Sequence, residues 1–271
     1  MKNILAKVTC FTAVFIFMGL PTTRAVTVTD DFSDLNDTVN PAWTRLTGDA
    51  NSTGQTYDAS TGAYHITAPS NGITLSGNQY GFAGSYTGAA YTDVSVMADL
   101  VQQGSGVSYG VAARLDGNNA FNGLKGYAYA FEQDLSAAPG VGEMVMFKLN
   151  GLTIGDIGND GPAVRLVTLD LANKDYTLSL SIIGNTLSAT VTEVGGGVVA
   201  FQQKTDLTAP YASGFSGLFG LGARSTTTAL TAPLDYTVDN FRTQDIPEPA
   251  TSLLVMAAAA GAMIIGRRRV R

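Results

Sequence analysis

The feature that most constrains the fold of this chain is the alternation of apolar and polar residues along many short segments. Alternation with a period of two is typical of half-buried β-strands. The clearest alternating segments are residues 93–101, 107–115, 126–132, 143–149, 176–183 and 186–194. Gly184-Asn185 separates the last two and predicts a two-residue hairpin turn. Weaker patterns predict further strands at 27–32, 63–68, 197–203, 217–223 and 234–242.

This pattern predicts an all-β fold. Roughly a dozen strands at regular spacing, with turns rich in Gly, Asn and Asp, indicate a two-sheet antiparallel β-sandwich of the jelly-roll type. Such a sandwich is expected to have polar outer faces and an apolar layer between its sheets. The sequence shows no repeat period of the kind that marks propellers and solenoids. Its charged content of 14% argues against a helical bundle and a disordered acidic tail.

The first 25 residues have the organisation of a secretory signal peptide. Lys2 and Lys7 precede the apolar stretch 8–20, and small residues follow up to Ala25, where cleavage is expected. The alternative is a membrane anchor, but the apolar stretch rises only about 20 Å as a helix, less than a hydrocarbon core of ~30 Å. Cys10, the only cysteine, lies in this segment, so the exported domain is expected to lack disulfides and thiolate metal ligands.

The C-terminal segment carries a second targeting pattern. It begins with Pro247-Glu248-Pro249, continues as an uncharged apolar stretch over 250–266, and ends in a basic cluster, Arg267, Arg268, Arg269 and Arg271. The apolar stretch spans about 25 Å as a helix, enough for a slightly mismatched transmembrane crossing. The arginines are expected to hold the extreme C-terminus in the cytoplasm.

These three parts, in this order, resemble the PEP-CTERM sorting signal of Gram-negative bacteria. The resemblance implies recognition by an exosortase, a membrane protease that cuts at the motif. It therefore implies export, transient anchoring in the inner membrane, and a final location at the cell surface or outside the cell. An ordinary C-terminal anchor is the alternative. The expected organisation is a signal peptide at 1–25, a β-sandwich domain at 26–245 and the sorting signal at 246–271.

The net charge of the region between the two targeting segments limits its partners. Residues 26–246 contain 9 Lys and Arg against 21 Asp and Glu, a net charge of −12. An acidic exterior repels phosphate backbones, so no nucleic-acid partner is expected. It tolerates neutral partners such as uncharged polysaccharides, and it attracts divalent cations.

Short motifs along residues 27–242 carry a second resemblance. They are Asp30-Asp31-Phe32 with Trp43 downstream, the run 109–114, the hairpin 176–194, the run 213–218 and the closing segment 238–241. Together they resemble the concanavalin A-like (laminin G-type) jelly roll. The resemblance implies a superfamily whose members commonly bind carbohydrate. Some have calcium sites, some are glycosidases, and many are purely adhesive.

The residues argue against catalysis. Laminarinase-type glycosidases of this fold carry a strand motif E-x-D-x-x-E, and here Glu132-Gln133-Asp134 supplies only the first two acids, because the last position is Ala137. Retaining hydrolysis needs two carboxyl groups, one of them to protonate the leaving group. The sole histidine, His65, has no serine elbow or cysteine partner in its segment. No catalytic residue is predicted, and an atypical glycosidase is the remaining catalytic alternative.

Sugar binding is a second chemical interpretation. Carbohydrate sites pair aromatic platforms with amide and carboxylate groups. Two tyrosines share one face of a predicted strand, and polar residues occupy the preceding loop and the strand end. The candidate sugar-binding residues are Tyr127, Tyr129, Asn118, Asn119, Asn122, Glu132 and Asp134. The competing interpretation is that the rings form the buried inner face of the strand.

No cofactor is required by the sequence, and Ca²⁺ is the one candidate. Asp31 and Asp239, at the start and end of the domain, would supply hard oxygen ligands if the first and last strands lie side by side. The competing interpretation is that these aspartates cap turns. The expected function is a structural or adhesive role in an exopolysaccharide layer, and a carbohydrate-binding module is the alternative.

Overall fold

A computed structural model of the chain describes residues 26–47, 54–70, 73–75, 78–106, 108–120, 123–134, 136–137, 140–151, 153–155, 157, 163–225 and 231–246. These residues belong to one compact unit, Ala25–Pro247. The predicted signal peptide and residues 247–271 of the predicted sorting signal lie outside the described residues. Within the described part, no helix is long and apolar enough to cross a membrane.

One sheet has eight strands in the described ranges, and the first and last of these strands in the chain lie near its middle. In spatial order its strands are β15 (Val198–Thr205), β14 (Thr186–Glu193), β13 (Tyr176–Ile183), β7 (Val94–Ser105), β18 (Leu234–Asp245), β4 (Tyr64–Ala68) and β3 (Thr56–Asp58). The first strand, β1 (Thr27–Asp30), also pairs with β18, so the first and last strands lie side by side, with Asp30 opposite Phe241. All pairings are antiparallel.

The second sheet has ten strands within the described residues. Its spatial order is β11 (Thr153–Gly155), β10 (Val141–Asn150), β9 (Lys125–Gln133), β8 (Ser108–Leu115), β16 (Gly214–Ser225), β6 (Asn78–Tyr91) and β2 (Trp43–Leu46). Three short strands join it: β12 (Ala163–Thr168) beside β10, β17 (Thr231–Ala232) beside β16, and β5 (Ile73–Leu75) beside β6. These pairings are also antiparallel.

The predicted all-β, two-sheet antiparallel sandwich is therefore confirmed. Each predicted strand segment contains a strand of the structure, and the predicted hairpin turn is present: Ile183 pairs with Thr186, and Gly184 between them has φ +57°. The long strand β6 was not predicted. It contains three glycines and no clear alternation, and glycine is depleted in strands.

The main core lies between the two sheets. From the eight-stranded sheet it takes Leu178, Leu180 and Ile182 of β13, and from the ten-stranded sheet the rings of Tyr127 and Phe131 of β9. All five side chains are fully buried, and they occupy alternate positions of their strands. Period-two alternation therefore places one apolar face of each sheet in a shared layer.

The outer faces of the two sheets differ, which corrects the expectation that both are polar. The ten-stranded sheet buries a second apolar cluster on its outer face, containing Phe82, Phe147 and Phe219 above a floor of Ala128 and Ala130. The rings of Phe147 and Phe219 lie 5.4 Å apart although β9 and β8 separate their strands. Because three strand spacings on a flat sheet amount to about 14 Å, this face must be concave. Small floor residues leave room for the rings to meet.

Two buried cations fasten one end of the sandwich. Lys148 of β10 donates to the Asp206 carboxylate at 2.8 Å and to the carbonyl oxygen of Ala209 at 2.8 Å. Arg114 of β8 donates to the carbonyl oxygens of Gly184 and Tyr211, each at 2.7 Å. The connection from β15 to β16, which passes from one sheet to the other, is thus held by two strands of the ten-stranded sheet.

Candidate functional site

The outer face of the eight-stranded sheet carries a regular array of hydroxyl and amide side chains across β18, β7, β13, β14 and β15. We call it the polar lattice. The strand register aligns three rows. The first is Gln244, Ser95, Ser181, Ser188 and Gln203; the second is Arg242, Met97, Ser179, Thr190 and Phe201; the third is Asp239, Asp99, Thr177 and Thr192. With strands about 4.8 Å apart, five strands give each full row a length of about 19 Å.

The lattice exists because these strands alternate strictly between buried and outward residues. On β13 the outward residues Thr177, Ser179 and Ser181 are half-buried, whereas Leu178 and Leu180 between them are fully buried.

Neighbouring lattice residues are hydrogen-bonded across the strands. Ser179 and Thr190 hydroxyls are 2.6 Å apart, and Gln203 Nε2 donates to Ser188 Oγ at 3.0 Å. The first row contains no ionisable side chain. At the β15 end of the second row, the ring of Phe201 is 55% exposed. The lattice therefore combines a first row of uncharged donors and acceptors with an exposed aromatic surface in the second row, while its charged residues, Arg242, Asp239 and Asp99, lie on β18 and β7.

A groove of about 490 Å³ opens at the β18 end of the lattice. The lattice residues Met97 and Arg242 line it, together with Asp31, Asp34, Asn40 and Asn240. One wall is the loop that follows β1, and the other is β18. The groove and the lattice are thus one continuous surface.

The loop wall of the groove is anchored by carboxylates that point into the domain. The Asp30 carboxylate accepts the Trp43 indole N–H at 2.7 Å and the Phe32 backbone N–H at 2.8 Å. Burial raises the pKa of Asp30, although these two hydrogen bonds oppose that shift. Asp37 accepts two N–H donors of Arg45, each at 2.9 Å, and the Tyr64 hydroxyl at 3.0 Å.

The predicted aromatic platform at Tyr127 and Tyr129 is wrong. Both side chains have no exposed surface and lie in the core between the sheets. Burial raises the pKa of both phenols. The Tyr127 hydroxyl donates to Asp206 at 2.6 Å, inside the protein. The rings are correctly predicted to share one face of β9, but tertiary packing assigns that face to the interior.

The predicted amide and carboxylate partners are not gathered around those rings. Asn118 and Asn119 are exposed in the loop between β8 and β9, where the Asn118 side chain accepts the Ala120 N–H at 3.0 Å. Asn122 lies outside the described residues. Asp134 is exposed and accepts the N–H and hydroxyl of Ser136, and the hydroxyl bond is the main cause that lowers its pKa.

Glu132 has a carboxylate neighbour that does not belong to the E-x-D-x-x-E motif. It lies at the end of the concave face, directly opposite Glu143 on β10. Burial, and then the charge of Glu143, raise the pKa of Glu132. A cavity of about 190 Å³ lies beside the pair. A carboxyl group whose pKa is raised, facing a second carboxylate beside a cavity, is the composition of an acid–base pair, so among the described residues this pair favours the glycosidase alternative.

The predicted calcium ligands lie near each other. Asp31 lines the groove, and Asp239 sits in the third lattice row opposite Asp99. Burial, followed by the charges of Asp99 and Asp31, raises the pKa of Asp239. In the part of the chain that the structure describes, no three His, Cys, Asp or Glu side chains are grouped to hold a metal ion. The adjacency of the first and last strands is confirmed, and the calcium site stays a prediction.

The polar lattice was missed at the sequence level, although part of its signal is visible. Hydroxyl residues alternate through β13 and β14. The contributions of Ser95, Met97 and Phe201 depend on which strands pair, and the sequence does not state that pairing. The groove depends on the pairing of β1 with β18, which was only conditionally expected.

Comparison with known proteins shows similarity at the level of the fold. No protein-family model and no curated protein match the sequence. A prokaryotic β-1,3-1,4-glucanase (lichenase) derived from a mouse hindgut metagenome is similar with a TM-score of 0.51 and 10% identity, over 81% of this chain and 98% of that chain. The β-glucanase of Bacillus licheniformis gives 0.50 and 13%, over 82% and 98%.

The similar solved structures also include a carbohydrate-binding module. The carbohydrate-binding module CBM66 from Bacillus subtilis is similar with a TM-score of 0.42 and 13% identity, over 74% of this chain and 94% of that chain. Identities this low show a shared fold and leave activity open. The chain has the concanavalin A-like jelly-roll fold, which it shares with these two β-glucanases.

Proposed function

We propose that this chain is an exported, non-catalytic protein that associates with neutral polysaccharide through its polar lattice. One observation carries the proposal: the first lattice row presents only serine and glutamine side chains over about 19 Å. Hydroxyls and amides both donate and accept hydrogen bonds, as sugar hydroxyls do. A row that extends across five strands suits a polymer chain better than a small compact ligand.

The charge distribution supports a neutral polymer. The region between the targeting segments has a net charge of −12, which repels acidic polysaccharides at long range. The exposed ring of Phe201 adds an apolar surface at the end of the second row. The described residues of the other sheet instead place an apolar cluster, with Phe82, Phe147 and Phe219, on its concave face.

The first test is to block the lattice at its centre. Replacing Ser181 with arginine puts a long charged side chain in the middle of the first row, and we expect retention of the full chain on immobilised neutral glucans to fall at least ten-fold. The matched control is Thr44→Arg, at an exposed strand position on the ten-stranded sheet. Stability of both variants should change by less than about 1 kcal/mol, checked by thermal unfolding.

Two results would contradict this proposal. Retention that survives Ser181→Arg but is lost in Thr44→Arg would place binding on the other sheet. Hydrolysis of the glucan in the same incubations, abolished by Glu132→Gln or Glu143→Gln, would show a glycosidase at the carboxylate pair. We expect no released reducing sugar above the background of the buffer.

We further propose that the chain is sorted by an exosortase, on the strength of its resemblance to the PEP-CTERM signal. Mass spectrometry of the secreted protein should then find a mature form that begins at Val26 and ends near Pro247. Replacing Arg267, Arg268 and Arg269 with glutamine should reduce this trimming, because the basic cluster holds the C-terminus in the cytoplasm. An extracellular protein that retains the arginine tail would contradict proteolytic sorting.

A further inference from the structure

The groove at the β18 end of the lattice offers a different chemistry from the first lattice row. That row is uncharged, whereas the groove combines the carboxylates of Asp31 and Asp34 with the amide of Asn240 and the guanidinium of Arg242, the β18 residue of the second row. Met97 adds a polarisable apolar surface. Its volume of about 490 Å³ falls within the usual size of small-molecule sites.

Each of the two carboxylates uses one oxygen in local hydrogen bonds. Ser33 donates its N–H and its hydroxyl to Asp31 Oδ1, at 3.1 and 2.7 Å, and the Asn36 N–H binds Asp34 Oδ1 at 3.1 Å. These local bonds all end at Oδ1, so Oδ2 of each group receives none of them. The Ser33 hydroxyl bond, and then its N–H bond, lower the pKa of Asp31, so this carboxylate stays ionised through the neutral range.

Donors face these acceptors from β18. Arg242 Nη2 donates to Gln244 at 2.7 Å, and a guanidinium carries five N–H donors in all. Asn240 donates through Nδ2 to Asp99 at 3.0 Å and lines the groove beside Arg242. A ligand that both donates and accepts fits this combination.

The wall that carries Asp31 and Asp34 is held in place before any ligand arrives. Asp30, immediately before it, is bonded to Trp43, and Asp37, just after it, is bonded to Arg45 and Tyr64. A pre-ordered wall lowers the entropy cost of binding.

We infer that this groove is a subsite for one sugar unit of the neutral polymer, with vicinal hydroxyls donating to Asp31 and Asp34 and Arg242 donating to a ring or hydroxyl oxygen. The inference rests on the proposed function and names where the polymer is held most specifically. An anionic ligand is disfavoured by the two carboxylates. The described residues hold no group of three His, Cys, Asp or Glu side chains arranged for a metal ion, and the guanidinium and amide donors of the groove suit a hydroxyl ligand better than a cation.

The test measures binding of a short neutral oligosaccharide, such as a glucose tetramer, to the full chain by calorimetry in buffer containing EDTA. Replacing Asp31 with alanine removes a charged acceptor, and we expect the Kd to rise at least ten-fold. Asp31→Asn keeps one acceptor oxygen and should recover part of the affinity. The matched control is Asp58→Ala, since Asp58 is exposed and holds the Ser60 N–H at 2.8 Å in the same manner.

The outcomes separate this inference from the proposed function. If wild-type chain binds the long glucan and Asp31→Ala binds the tetramer as tightly as Asp58→Ala does, the groove is not a subsite and the lattice proposal stands. If wild-type chain binds neither glucan nor tetramer, both proposals fail. Tetramer binding that requires added calcium would assign the groove to a cation and overturn the assignment of its carboxylates to sugar hydroxyls.

Discussion

Replacing Lys148 with methionine is expected to lower the melting temperature by about 6–20 °C. Lys148 holds the buried carboxylate of Asp206, which has no exposed surface. Removing one partner of a buried ion pair costs about 3–5 kcal/mol, because the remaining charge is left unpaired. For a domain of this size, each kcal/mol shifts the melting temperature by about 2–4 °C. Thermal unfolding followed by circular dichroism measures the change.

The same pair makes stability depend on pH in a definite direction. Burial opposes ionisation of Asp206, but hydrogen bonds from Lys148, Tyr127 and Thr208 outweigh it and lower the pKa below its usual 3.8. A lowered pKa stabilises the fold above the unfolded value, and that stabilisation is lost as the pH falls through the folded value. The wild-type chain should therefore lose this contribution only below about pH 4.

A surface lysine supplies the control for this prediction. Lys174 pairs with Glu193 at 2.9 Å, but its side chain is 44% exposed, so Lys174→Met should cost less than about 1 kcal/mol. Adding Asp206→Asn to Lys148→Met should restore part of the stability, because it removes the unpaired charge. Equal melting temperatures for Lys148→Met and Lys174→Met would show that the buried pair does not stabilise the sandwich end.

Replacing Arg114 with methionine is expected to have a comparable effect by a different route. The guanidinium donates to the carbonyl oxygens of Thr92, Gly184 and Tyr211, each at 2.7 Å, and to the Asp93 carboxylate at 3.2 Å. Each buried acceptor left without its donor costs about 1–3 kcal/mol. We expect a loss of at least about 3 kcal/mol, measured by denaturant unfolding.

Amide hydrogen exchange should show which regions lose stability in the Arg114→Met variant. Protection should fall at the turn around Gly184 and in the connection around Tyr211, because Arg114 joins these two loops. Arg114→Lys keeps the charge with fewer, less rigid donors and should be intermediate. Arg165→Met, at an exposed position of the edge strand β12, is the control and should leave both regions protected. Unchanged exchange in Arg114→Met would refute the role assigned to the guanidinium.

Strand positions could be predicted where large apolar residues alternate with polar ones. The prediction failed where small residues dominate. Strands β13 and β14 were predicted almost to the residue, together with their turn. Strand β6 was missed because its glycines carry no alternation signal. The reason for those glycines is tertiary: a Cβ on Gly84 would lie 2.3 Å from the Leu218 carbonyl oxygen of the neighbouring strand. A single sequence does not reveal that close approach.

The candidate site was harder to predict from the sequence than the fold, because it depends more on tertiary structure. Alternation correctly placed Tyr127 and Tyr129 on one face of β9, but it does not say which face is buried, because Ala128 and Ala130 between them are apolar as well. A second sheet packs against the tyrosine face, and phenylalanines from other strands cover the alanine face. The pairing of Glu143 with Glu132 was not predicted for a related reason: the two residues lie on different strands and face each other only through the strand register.

The amino-acid sequence by itself determined the class of the fold, because side-chain alternation is a local property that each strand carries along its own length. It also determined the acidic, cysteine-free character of the region between the targeting segments. Only the tertiary structure decided that Ser95, Ser181, Ser188 and Gln203 form one row, and that the loop after β1 meets β18 to make a groove. Those arrangements depend on strand order and register, which arise from packing between residues far apart in the chain.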